Sequence, residues 1–85
     1  MSEDDVKKFL RYHSTALVDF GLTLVNLTWQ ERLAVSLCGR QRYTQEQAAE
    51  QAGYGVDAMQ KWYRAGMSKL VAEWSAHDWI LKVIN

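Results

Sequence analysis

The chain has 85 residues with ten basic and ten acidic groups, so its net charge is zero. That length supports one domain, which buries roughly 60–65% of its unfolded surface, so the core must be nearly continuous. A hydrophobic fraction of 48% with four Trp makes such a core attainable, and the lack of Pro with only five Gly favours an all-α fold. Apolar residues spread along the whole sequence argue against disorder. The charge balance is not the strongly basic footprint of a typical nucleic-acid binder. One cysteine, Cys38, excludes an internal disulfide or a multi-cysteine zinc site, and His13 and His77 add no ligand spacing, so no metal or cofactor is expected. No run approaches the roughly 18–20 apolar residues that cross a bilayer. The opening MSEDDVKK leads into no apolar stretch, so no signal peptide and a cytoplasmic location are expected.

The first predicted element runs from Ser2 to about Phe20. Val6, Phe9, Leu10, His13, Ala16, Leu17 and Phe20 fall on one helical face. Ser2 is the expected N-cap, with Glu3, Asp4 and Asp5 complementing the helix dipole, and Gly21 is the expected stop. GLTLVNL then reads as an extended link or an extra helical turn. Thr28 and Glu31 form a capping-box pattern that starts a second helix, which ends around residues 39–42. Thr44 and Gln47 repeat the pattern for a third helix, where Ala48, Ala49 and Ala52 permit close approach and Gly53 is the stop. A fourth helix begins near Val56 with Met59, Tyr63, Gly66, Met67 and Leu70 facing inward. Ser75 or Asp78 can cap a separate C-terminal helix carrying Trp79, Ile80, Val83 and Ile84. The expectation is a single all-α domain of four to five helices, with residues 3–20 covering a core at about 27–70 and a helical tail over 71–85.

Two short helices joined by a glycine-containing turn, from about Thr44 to Leu70, match a helix-turn-helix unit. The stretch LTWQERLAVSLCGRQRYTQEQAAEQAGYGVDAMQKWYRAGMSKL, residues 27–70, resembles the fourth conserved region of bacterial sigma factors. Leu27, Glu31, Arg32, Thr44, Glu46, Ala49, Glu50, Gly53 and Leu70 match that pattern in identity, while Ala48, Ala52, Tyr54, Met59 and Tyr63 stand at its apolar positions. Related domains occur in response regulators and phage-encoded transcription proteins. The resemblance implies a small transcription regulator that binds double-stranded DNA through the helix starting near Val56. It also implies a contact with RNA polymerase through the Thr28–Gly39 helix and the Arg40–Tyr43 stretch. Departures cluster where DNA would be read: Gly55 replaces a capping Ser or Thr, Val56 and Asp57 stand nearest the bases, Trp62 replaces a basic or polar residue, and Gly66 and Met67 replace Ala and Arg.

The DNA-facing set is Arg40, Arg42, Thr44, Gln60, Lys61, Arg64 and Lys69. Gln60 suits adenine, and Arg64 suits guanine or phosphate. The alternative for Gln60, Lys61 and Arg64 is a solvated helix face, and for Arg40 and Arg42 a helix C-terminal cation. Asp57 repels phosphate, although it can accept from cytosine N4. Trp62 is expected to point outward as a partner-binding residue, unless the C-terminal segment buries it. Trp74 and Trp79 are expected in the core against the N-terminal helix, and Cys38 as a small core hydrophobe. Glu46 and Glu50 share a face, but no nucleophile elbow, phosphate-cradling loop or metal cluster accompanies them, so an enzyme is not expected. The competing reading is a protein-interaction module that keeps the fold without reading DNA. A homodimer is a third possibility, pairing two recognition helices about 34 Å apart.

Overall fold

The computed structural model describes residues 1–84, and these form six α-helices and no strand. They are α1 (Glu3–Tyr12), α2 (Thr15–Thr23), α3 (Trp29–Ala34), α4 (Gln45–Ala52), α5 (Val56–Trp74) and α6 (Asp78–Ile84). α3 runs directly into a π-helical segment, Val35–Arg40. The expected count of four to five helices is therefore too low.

Caps set most of these boundaries. The hydroxyls of Ser2, Thr28 and Thr44 each accept from the backbone N–H three residues on, and Asp5, Glu31 and Gln47 accept in return from the cap N–H. The extra boundary lies inside the single N-terminal helix that the apolar spacing predicts. His13 is extended, and the Ser14 hydroxyl accepts from the Leu17 N–H, starting α2 afresh. The break resets the helical phase. Val6, Phe9 and Leu10 are buried as expected, but Val18, Gly21 and Leu22 go inward while Ala16 and Phe20 are exposed. Gly21 is thus no stop. It lies within α2, where a Cβ would stand 3.0 Å from Phe9 and 3.3 Å from Trp74.

α5 is the axis of the molecule and packs against α1, α3, α4 and the π segment. The apolar interior has two parts. The larger gathers Val6, Phe9, Leu10, Val18, Leu22, Val25, Val35, Met67, Leu70, Trp74 and Ile80. Phe9 meets Trp74 edge-to-face with centroids 4.9 Å apart, and the Trp74 indole N–H donates to the Gly21 carbonyl at 2.8 Å. The smaller part holds Ala34, Leu37, Cys38, Ala48, Ala49 and Met59, with Tyr63 bordering both. α3 and the π segment cross α5 closely at Gly66, where a Cβ would stand 3.3 Å from the Glu31 carbonyl and 2.7 Å from a Val35 methyl. α4 ends at Gly53, whose φ of 78° is left-handed and easiest for glycine, and α5 begins three residues later.

The π segment ends beside the end of α1, and each helix end receives an arginine from the other. Arg11 Nε donates to the Gly39 carbonyl at 2.8 Å, and Arg40 donates to the Leu10 carbonyl, the His13 carbonyl and the Thr15 hydroxyl. Two negative dipole ends thus meet and are neutralised in pairs.

Candidate functional site

The predicted DNA-facing residues divide into two groups. Gln60, Lys61 and Arg64 lie together on the outward side of α5, where with Asp57, Ala65 and Ser68 they line a shallow open concavity of about 460 Å³. Lys61 and Arg64 are exposed and Gln60 half-buried. The inward stripe of α5 fixes this orientation, because Met59, Met67 and Leu70 are fully or almost fully buried. The small side chains of Ala65 and Ser68 make the concavity.

The other group is spread over the surface and largely engaged. Arg40 is held by α1 and the start of α2, so the phosphate clamp expected there is a helix-end cation instead. Lys69 Nζ bonds a Glu31 carboxylate oxygen at 2.7 Å and also reaches the Asn26 carbonyl, so it too is turned away from the expected contact. The Thr44 hydroxyl accepts from the Gln47 N–H as the α4 cap. Arg42 is exposed, sits at φ 62°, and lays its guanidinium 5.2 Å from the centroid of the Tyr12 ring.

Burial pushes the Glu31 carboxyl up, but the hydrogen bonds from Lys69 and Thr28 outweigh it and hold the group below its ordinary 4.5. Asp5 is also held low, first by the Ser2 N–H and then by the Ser2 hydroxyl. Burial raises the Cys38 thiol and the Tyr63 phenol, so both stay neutral at pH 7. Among the described residues, no group of three or more His, Cys, Asp or Glu side chains could hold a metal ion. No helix among them is long and apolar enough to cross a membrane.

Trp62 does not stand alone on the surface. It is half-buried against the Ala34–Met59 cluster, and its cover comes from Trp29 and Tyr54 rather than from the C-terminal segment. Tyr54, which stands at an apolar position of the sigma-like pattern, is 42% exposed, and Trp29 is 60% exposed. Trp29 carried no role in the sequence reading. Its signal was an aromatic directly after a helix cap, but only the fold brings it to Tyr54 and Trp62. Comparison with protein-family models, curated proteins and solved structures gives no match to this chain.

Proposed function

We propose that this chain is a small helix-turn-helix transcription protein that binds double-stranded DNA through the outward face of α5. One observation carries the reading: the α4–turn–α5 pair turns Gln60, Lys61 and Arg64 to the same open side, next to the turn. Ala48, Ala49 and Met59 hold the two helices together behind it. The resemblance of residues 27–70 to sigma region four supports the same assignment. Gln60 reads a base edge, and Arg42, Lys61 and Arg64 meet phosphates.

With Arg40 and Lys69 engaged internally, Arg42, Lys61 and Arg64 remain for phosphate contacts. Three contacts give a log–log salt slope of about −2.7, or roughly 40-fold weaker binding at 200 mM than at 50 mM salt. Titration of labelled mixed-sequence duplex measures this. Lys61→Ala with Arg64→Ala should reduce the slope by about two and weaken binding at least roughly tenfold. Unchanged binding by the double variant would sink the assignment.

The scarcity of free cations favours a second reading, a protein-interaction module that keeps the helix pair without reading DNA. Absence of duplex binding at both salt concentrations selects it.

A further inference from the structure

Beside the outward face of α5, three aromatic rings cluster at mutual angles of 49°, 53° and 78°. Tyr54 and Trp62 have centroids 5.0 Å apart, and Trp29 lies 6.1 Å from each of them. The platform is anchored from below. Trp62 packs on the second core cluster, Trp29 opens the capped helix α3, and Tyr54 sits between Gly53 and Gly55 in the turn. Nothing beyond the adjoining residues lies within 4 Å of where a Cβ on Gly53 or Gly55 would stand, so the turn is open at those two positions.

Exposed charges of both signs stand near the rings. Arg32 is exposed one turn along α3 from Trp29, on the same face, and exposed Lys61 adjoins Trp62. Asp57 stands one turn before Lys61 on the same side of α5, and both line the concavity. The platform also adjoins the start of α5, the end that would approach DNA.

We propose that the exposed Trp29 ring, backed by Tyr54 and Trp62, stacks an unpaired base of a DNA strand continuing from the duplex that α5 binds, with Arg32 meeting a flanking phosphate. The inference rests on the DNA-binding reading above. Paired bases offer only their edges in a groove, so an aromatic platform gains little from intact duplex. An unpaired base offers a π-face, and each stacked base strengthens binding substantially without demanding a sequence.

The test uses the full chain and four probes: a blunt duplex, the same duplex with a dT overhang of about five nucleotides, an abasic overhang of equal length, and an RNA overhang. The dT overhang should bind about tenfold tighter than the blunt and abasic probes and quench tryptophan fluorescence. Trp29→Ala should remove that preference while leaving blunt-duplex affinity and thermal melting unchanged, and Trp29→Tyr should retain most of it. Equal affinity for base-bearing and abasic overhangs overturns the platform alone, as does a preference that survives Trp29→Ala. A gain confined to the RNA overhang overturns the assignment to DNA. Self-association that depends on Trp29, with no overhang preference, assigns the rings to a second copy of the chain instead. Failure to bind any probe refutes the duplex reading itself, and this inference with it.

Discussion

The two parts of the interior use aromatic residues differently. In the larger part, Trp74 and Phe9 are completely buried, and the indole N–H is satisfied by Gly21. The smaller part is walled by alanines, Leu37, Cys38 and Met59, and its aromatic residues are left at its outer edge. Small side chains let α3, α4 and α5 approach closely, which leaves no cavity that a Trp could fill from within. The rings therefore spread over the outside of this contact. Tyr12 and Phe20 are exposed beside the larger part as well, so the difference lies in what is buried: one part holds a Trp and a Phe wholly inside, the other none.

The sharpest way to break that contrast is to truncate one Trp on each side. Trp74→Ala should destabilise the fold by about 3–5 kcal/mol, because it opens a cavity and removes the indole hydrogen bond to the Gly21 carbonyl. Trp29→Ala should change stability by less than about 0.5 kcal/mol. Denaturant melts of both variants measure the difference, and equal losses would show that the exposed rings are structural. A smaller effect separates structural cations from binding ones. Arg40→Ala should cost about 1–3 kcal/mol in the same melts, since it removes charged hydrogen bonds to helix-end carbonyls, yet it should leave the salt slope of DNA binding unaltered. A reduced slope would return Arg40 to the binding surface.

A further, modest loss is expected at Glu31. Its carboxyl is held below the ordinary 4.5, so the stabilisation from Lys69 and Thr28 is complete above that value. It is lost as pH falls through the lower folded value. Glu31→Gln should remove about 1 kcal/mol at neutral pH, kept modest by the exposure of Lys69, and flatten the acid limb of a stability–pH curve. An acid limb identical to that of the parent protein would show that the pair contributes nothing.

The parts of this fold that are local in sequence were readable from it. The Thr28 and Thr44 capping boxes are four-residue patterns whose partners lie three positions away, and both form. The α1–α2 break was missed because apolar spacing runs straight through His13 and Ser14, although Ser14 was itself available as a cap. The π segment leaves no periodic trace. Its signature is a backbone bond such as that from Gln41 N–H to the Ser36 carbonyl, at 3.0 Å, five residues back. Among candidate site residues, Gln60, Lys61 and Arg64 follow from the phase of one helix. The partners of Arg40 and Lys69 do not, since Leu10 and Glu31 lie 30 and 38 residues away. The Trp29–Tyr54–Trp62 platform fails for the same reason, being assembled from two helices and a turn.

The crossed arginines at the ends of α1 and the π segment bear on where this protein can be cut. Residues 27–70 hold the whole resemblance to sigma region four, which makes them look like an excisable unit. Removing what precedes them would strand the carbonyls of Cys38 and Gly39, which Arg11 now serves, and deprive Arg40 of its acceptors. It would also bare Val35, Met67 and Leu70, which share a core with Val6, Phe9 and Leu10. The N-terminal helices are therefore the second wall of the structure rather than an appendage, and a fragment starting at Leu27 should not stand alone.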